Sequence, residues 1–154
     1  MPIVPKLTTV AACRVARLDR DRFNEHVAAG RFACAPNTIP GRARLFDPDD
    51  MIALWLFREL MEDGFDATHA GQIACAVAAS ARSHPEAVAI SFVNLWGGRP
   101  SAHPADQVPP PAEWQQCLFS GCAIRKVTTY NIAKLRQTIA DSTEEERSII
   151  GPDD

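Results

Sequence analysis

Four side chains that can bond the edges of DNA bases occur at alternate positions between residues 20 and 26. Arg20 and Arg22 carry guanidinium groups, Asn24 an amide and His26 an imidazole. In the major groove, arginine can bond O6 and N7 of guanine, and asparagine can bond N6 and N7 of adenine. These four residues are therefore candidates for contacting base edges. The alternative is a solvated surface helix, which can have the same composition.

A short helix is predicted for the segment that carries these side chains. Asp19 is a favourable N-cap and Gly30 a favourable residue just beyond a helix end. Phe23 and Val27 are four residues apart, which predicts one buried stripe with the four polar side chains on the opposite face. A second short helix is predicted just before this one, capped by one of two adjacent threonines. Two short helices joined by two or three residues indicate a helix-turn-helix.

A two-stranded hairpin is predicted over residues 31–46, with arginines on its solvent side. Pro36, Pro40 and Gly41 are turn formers, and the residues that follow alternate between charged and apolar side chains. On such a wing, Arg42 and Arg44 would reach phosphates or a minor groove. They would position the preceding helix without reading the base sequence.

The five cysteines are predicted to be reduced thiols packed in the interior. They are Cys13, Cys34, Cys75, Cys117 and Cys122. The alternative is a zinc site at the last two, but a structural site needs four ligands, and the four histidines form no second pair. The sequence therefore predicts no metal site and no cofactor.

No arrangement typical of catalysis occurs in the sequence. His69 and Cys75 are six residues apart on a predicted helix, which points them to different faces. The sequence has no Gly-x-Ser-x-Gly motif and no glycine-rich phosphate loop. We therefore predict that the protein is not an enzyme.

Two longer helices are predicted between residues 47 and 82. Asp47 and Pro48 begin the first, which runs over residues 49–62 and carries apolar side chains nearly all the way round. The second begins at Asp66 or Thr68 and has a face of small residues. Both faces must be covered. The small-residue face can pack within the subunit or across a dimer, and because this chain offers few partners we expect a second subunit to supply part of the cover.

The composition changes near His84, where we predict a boundary between domains 7–83 and 85–150. Strands are predicted over residues 87–93 and 123–132, and a proline-rich loop over 99–113. A helix is predicted over residues 133–140, and residues 143–147 could extend it. The predicted fold class is mainly α with small β elements (α+β), a winged helix-turn-helix head followed by a small α/β tail. The tail would serve dimerisation or effector binding, or would complete the core of the head.

Three motifs follow one another in the first half of the chain. Arg44–Phe46 ends the predicted wing, Asp49–Asp50 begins the next helix, and Leu60–Phe65 precedes the one after it. In this order, after two short helices, they resemble the winged-helix DNA-binding domain of the MerR family of regulators. The resemblance covers about residues 7–81. The family's second helix usually carries an arginine followed by aromatic residues, where this chain has Asn24–His26.

The resemblance implies a sequence-specific double-stranded DNA-binding protein, a transcriptional regulator. The residues implied in DNA contacts are Arg20, Arg22, Asn24, His26, Arg42 and Arg44. One such head covers a half-site, so a homodimer on an inverted repeat is expected. Excisionases and small terminase subunits of phages share this head, which makes a phage-type accessory factor an alternative. A protein-interaction or ligand-sensing module that no longer binds DNA is another, and no effector is identified.

The composition is typical of a small globular protein, and the positive charge of its N-terminal part is suited to contact with a polyanion. The chain has 154 residues, of which 46% are hydrophobic and 23% charged. Residues 1–46 hold eight basic and three acidic residues, a balance of +5, whereas residues 47–154 hold eight basic and sixteen acidic ones, a balance of −8. No apolar stretch approaches the roughly 20 residues of a membrane span, and no export signal is evident. We expect a cytoplasmic protein.

Overall fold

The computed structural model describes residues 6–38, 40–116 and 121–150. They form the α+β fold that the sequence predicts, with a two-stranded and a three-stranded antiparallel sheet. The helices are α1 (Thr9–Ala16), α2 (Arg20–Ala28), α3 (Pro48–Glu62), α4 (Ala67–Ser83) and α5 (Ile132–Ile150). The strands are β1 (Leu7–Thr8), β2 (Leu45–Phe46), β3 (Ala89–Leu95), β4 (Ser101–Pro104) and β5 (Ile124–Asn131).

The first four helices begin where their capping residues predict. The side chains of Thr8, Asp19, Asp47 and Asp66 each accept a hydrogen bond from the backbone N–H three residues later. In α3, the carboxylate of Asp50 also accepts from the N–H of Asp47 at 2.9 Å, which completes a capping box. Each such cap typically contributes about 1 kcal/mol, so these boundaries are set by local sequence.

Helices α3 and α4 pack extensively against each other and against other elements of the same chain. The side chains that α3 buries are Met51, Ile52, Ala53, Leu54, Leu56, Phe57 and Leu60. The small-residue face of α4 is buried from Ala70 to Ala81. The expectation that a second subunit is needed to cover these faces is wrong, because α1, α5 and the three-stranded sheet cover them.

The three-stranded sheet has the order β4-β3-β5, and one of its faces packs on α4. On that face, Ile90 of β3 is opposite Tyr130 of β5, and Phe92 is opposite Thr128. The two predicted strands are confirmed within two residues. β3 begins at residue 89 rather than 87, because the N–H of Ala87 is used in a turn that ends at the carbonyl of His84.

The predicted loop over residues 99–113 is wrong for Ser101–Pro104, which forms the edge strand β4. It pairs antiparallel with β3, His103 lying opposite Ser91. Pro104 is compatible with this strand because it is the last residue of a strand at the edge of the sheet, where a missing N–H is tolerated.

Helix α5 joins the tail to the first half of the chain. It runs to Ile150, so the helix predicted over residues 133–140 continues through the extension at residues 143–147 that the sequence left open. Ile132 and Ile139 are buried against the same core as the side chains of α1 and α3, and Arg14 of α1 forms an ion pair with Glu146 of α5. The two predicted domains thus share one hydrophobic core. Independent folding of residues 7–83 stays a prediction.

The predicted hairpin over residues 31–46 does not form in the part of this segment that the structure describes, which excludes Ile39. β2 pairs instead with β1, and Leu7 lies opposite Phe46. Two prolines in the segment have no N–H to donate to a strand ladder. The wing is therefore an irregular loop, closed by the short β1–β2 ladder.

Cys34 of this loop and Cys75 of α4 form a disulfide, with their Cα atoms 5.7 Å apart. The prediction of reduced thiols is wrong for this pair, which is separated by 41 residues in sequence. It is confirmed for Cys13, which is free and buried, and Cys122 is free and half-buried. Cys117 lies outside the described residues. The disulfide fastens the segment after α2 to α4.

One turn before Cys75, Gly71 allows the same segment to approach α4 closely. A Cβ atom at Gly71 would lie 1.8 Å from the backbone carbonyl oxygen of Arg31. Gly71→Ala would gain about 1 kcal/mol of helix propensity. The clash is with backbone, and overpacking of this kind costs typically 1–3 kcal/mol or more. A contact of 1.8 Å lies far inside van der Waals distance, so we take the upper end of this cost. The expected net loss is about 2 kcal/mol in the free energy of unfolding, measured by urea denaturation.

Ala79→Gly is the matched control, because Ala79 is exposed on the same helix. It should lose about 1 kcal/mol from helix propensity alone. A Gly71→Ala protein that is more stable than the wild type would show that residues 31–34 do not lie against α4.

Candidate nucleic-acid interface

A three-residue turn separates α1 from α2, as predicted for a helix-turn-helix. Arg17 adopts a left-handed conformation with φ of 61°, and the N–H of Leu18 donates to the carbonyl of Cys13 at 2.8 Å. This is the hydrogen bonding of a Schellman motif, which ends α1. Asp19 then caps α2 by accepting from the N–H of Arg22 at 2.9 Å. The direction of α2 is thus set by two capping structures in consecutive residues.

An aromatic cluster holds α2 to the rest of the molecule. The ring centroid of Phe23, which is completely buried, lies 5.3 Å from that of Phe32 and 6.0 Å from that of Phe46. Phe32 in turn lies 4.9 Å from Phe57 of α3. The cluster joins α2, the loop after it, β2 and α3, so it fixes which sides of α2 face the solvent.

The four polar residues predicted on α2 lie on two flanks rather than on one shared face. Successive residues of an α-helix are rotated by about 100°, so Arg20 and Asn24 flank the buried Phe23 on one side and Arg22 and His26 on the other. Arg20, Arg22 and Asn24 are exposed, as predicted, and His26 is half-buried. The expectation of a single outward face is not met, since residues two apart are rotated by about 200°.

Two exposed acids lie between these flanks, on the side of α2 that is farthest from the core. They are Asp21 and Glu25. The guanidinium of Arg20 lies 3.5 Å from the carboxylate of Asp21, an exposed pair of the kind that contributes little to stability. Arg22 forms no ion pair with any residue that the structure describes. Arg22 is thus free to meet a polyanion, whereas Arg20 is paired and the outermost strip of the helix repels one.

His26 is braced rather than presented to the solvent. Its ring packs edge-on against Phe57 with centroids 5.3 Å apart, and a guanidinium N–H of Arg31 donates to its Nδ1 at 3.1 Å. Because arginine has no acceptor, this bond leaves the ring proton on Nε2. Burial, and then the charges of Arg31 and Arg22, lower the pKa of His26 below its usual 6.5. The ring is therefore neutral at pH 7 and carries its proton on Nε2.

The two wing arginines have different environments. Arg42 is exposed and forms no ion pair within the described part of the chain. Arg44 is half-buried, and its guanidinium donates to the carbonyl of Pro36. The expectation that both arginines lie on a solvent face is therefore wrong for Arg44, which closes the loop.

Two further arginines near α2 were not among the predicted contact residues. Arg17 lies in the turn before the helix and Arg31 follows it, and both are exposed. Their position at the two ends of α2 follows from the helix bounds. A count of cations within one or two residues of the predicted helix ends would have identified them.

The described residues hold no group of three or more His, Cys, Asp or Glu side chains that could bind a metal ion. Burial, and then the charge of Asp19, raises the pKa of Cys13 to about 11. This thiol therefore stays protonated at neutral pH and is a poor nucleophile. The sequence predictions of no metal and no catalysis stay predictions.

No protein-family model matches the sequence, and no curated protein is significantly similar to it. Within the described residues, no helix is both long enough and apolar enough to cross a lipid bilayer. The functional assignment therefore depends on the geometry of this chain.

Proposed function

We propose that the protein binds double-stranded DNA through α2 and acts as a sequence-specific transcriptional regulator in the cytoplasm. The observation that carries this proposal is the placement of α2, which follows a tight turn, is anchored by Phe23 and exposes Arg20, Arg22 and Asn24. A helix held in this way fits the major groove, where these side chain types bond base edges.

Exposed cations at the two ends of α2 and in the wing loop support the same proposal. Arg17, Arg31 and Arg42 are exposed, and none of them is neutralised by an ion pair to a described residue. Cations next to a groove-binding helix reach phosphates and fix its register on the duplex. They would give the complex a strong dependence on salt concentration.

A homodimer on an inverted repeat is part of the proposal. It rests on the small footprint of one head, which covers a half-site, and on the symmetry of two-fold operators. The apolar faces of α3 and α4 do not contribute to this argument, because they are buried within one chain.

Selection of bound sequences from a random duplex pool tests the proposal. We expect an enriched sequence that is palindromic, with half-sites one helical turn apart or a multiple of it. An enriched single half-site would retain DNA binding and exclude the dimer. A pool that shows no enrichment would contradict the proposed function.

Arg42→Ala should weaken binding to the selected and to random duplexes by the same factor. We expect the slope of log affinity against log salt to become shallower by about 0.9, the value of one phosphate contact. Fluorescence anisotropy at several salt concentrations measures it. Lys134→Ala is the control, since it removes an exposed positive charge from α5. An unchanged slope for Arg42→Ala would show that the wing does not contact the backbone.

A protein-interaction module is the second candidate, and the exposed acids of α2 favour it. Asp21 and Glu25 form the outermost strip of this helix, which is suited to a basic protein surface.

Glu25→Gln distinguishes DNA binding from binding to a protein. The substitution should strengthen binding to DNA by removing a repulsion, and it should weaken binding to a basic protein partner.

A further inference from the structure

A cleft of about 970 Å³ lies between the sheet and the α3–α4 pair, and it plays no part in the proposed DNA contacts. Residues of the connection between α3 and α4 and of α4 form one wall, and residues of β3, β5 and the turn after β3 form the other. The volume is that of a site for a small organic molecule.

The floor of the cleft is apolar, whereas the wall formed by α4 and the connection before it also carries Asp63, His69 and Gln72. Ile73 and Ala76 of α4 and Phe92 of β3 line the floor, and Phe92 is buried. Phe65 stands at the edge with 43% of its surface exposed, which is unusual for a phenylalanine in a chain that buries its other described phenylalanines. A flat apolar group seated here would cover Phe65.

The opposite wall carries three cations. They are Arg99, Arg125 and Lys126. None of them forms an ion pair with a described residue, and the guanidinium of Arg125 lies 5.8 Å from the ring centroid of Trp96. Of the described residues that line the cleft, Asp63 is the acidic one. The charge of the lining is thus positive, with its cations on one side.

A β-bulge explains how two of these cations come to line the same cleft. Adjacent residues of a regular strand point to opposite faces of the sheet. Here Lys126 is opposite Asn94, and Ile124 is opposite Leu95, so Arg125 is an extra residue without a partner. A bulge of this kind re-aims a side chain. It places Arg125 and Lys126 together at the rim.

From this arrangement we propose that the cleft binds a small organic carboxylate with a flat apolar body. The body packs on Ile73, Ala76 and Phe92, under Phe65. The carboxylate bonds the guanidinium of Arg125 and the ammonium of Lys126, with Arg99 close by. Arginine and carboxylate match in a bidentate geometry, and charge-assisted bonds are stronger than neutral ones. All three cations are exposed, so the carboxylate binds at the mouth of the cleft.

Tyr130 adds a donor to the same cleft. Burial, and then the charges of Glu59 and Asp63, raise the pKa of its hydroxyl above the usual 10. The hydroxyl therefore stays protonated over the whole physiological range and can donate a hydrogen bond to a bound oxygen.

Titration with 2-naphthoate, followed by calorimetry and by amide chemical shifts of the full chain, tests this proposal. We expect 2-naphthoate to bind and 2-naphthylmethanol, which has the same ring system without the charge, to bind at least about tenfold more weakly. The shifts should be confined to the cleft. No binding of naphthoate at millimolar concentration, or equal binding of the two compounds, would overturn the proposal.

Two variants make the test specific. Arg125→Met with Lys126→Met should weaken naphthoate binding at least about tenfold and leave the neutral compound unaffected. Ala76→Trp, which fills the floor, should abolish binding of both, with thermal unfolding used to show that the chain is folded. Lys134→Met is the control for loss of a positive charge. Undiminished binding of naphthoate to the double variant would contradict the site. These experiments involve no DNA, so their outcome is independent of the proposed function.

Discussion

Removal of the Cys34–Cys75 disulfide is expected to lower the free energy of unfolding by about 4 kcal/mol. The bond joins cysteines that are 41 residues apart in sequence. In the chain-entropy model, closing a loop of this length restricts the unfolded chain by that amount. The folded structure loses little by comparison, because Gly71 and Phe32 still hold the same segment against α4 and the aromatic cluster.

Urea unfolding of the oxidised protein, with and without a thiol reductant, measures this difference. The double variant Cys34→Ala/Cys75→Ala should match the reduced wild type. Cys122→Ala, which removes a free half-buried thiol, is the control and should change little. If the oxidised wild type and the double variant unfold at the same urea concentration, the disulfide does not form in solution.

Substitution of Arg20, Arg22 and Asn24 together by alanine is expected to reduce affinity for the selected DNA sequence by at least about 100-fold. Each bidentate contact to a base edge discriminates by about 1–3 kcal/mol, so two effective contacts suffice for this loss. All three side chains are exposed, and alanine is a good helix former, so α2 should persist.

Competition with random duplex measures the ratio of the affinities for the selected and random sequences. A general loss of folded protein would lower both affinities and leave this ratio unchanged. The triple variant should bind the selected and random sequences alike, with its residual affinity supplied by phosphate contacts. The two flanks can then be separated. Arg22→Ala changes one of them, and Arg20→Ala with Asn24→Ala changes the other. Unchanged affinity and sequence preference in the triple variant would show that α2 is not the recognition helix.

Local signals in the sequence predicted the helices well. Asp19, Asp47 and Asp66 cap three helices through bonds to the third residue after each of them, a contact that depends on nothing distant. The apolar spacing in α2 also identified Phe23 as a buried residue, and the all-round apolar composition of α3 indicated a helix covered on several sides. These features depend on neighbours within one or two turns, so a sequence reveals them.

Pairings between distant residues could not be predicted in the same way. β2 pairs with β1 across the whole helix-turn-helix, and the proline-containing loop takes no part in the ladder. Cys34 and Cys75 meet because Gly71 lets residues 31–34 reach α4. Such contacts require the positions of several elements at once, and neither residue spacing nor composition carries that information.

In the candidate sites, too, local features were predictable from sequence and contacts between distant residues were not. Helix periodicity predicted that Arg20, Arg22 and Asn24 are exposed. Their distribution over two flanks of α2 became evident only from the way the aromatic cluster orients the helix. The cations of the cleft were not singled out at all. Arg125 and Lys126 belong to a predicted strand, where alternation places them on opposite faces, and the bulge that brings them together depends on the register with β3.

DNA binding by the wild-type protein is decided by its affinity for a mixed-sequence duplex, measured over a range of salt concentrations. If Arg17, Arg31 and Arg42 each meet a phosphate, log affinity should fall against log salt with a slope of about −2.7 per head, or steeper. A protein that shows no binding at low salt, or an affinity independent of salt, would contradict the proposal that this chain binds DNA.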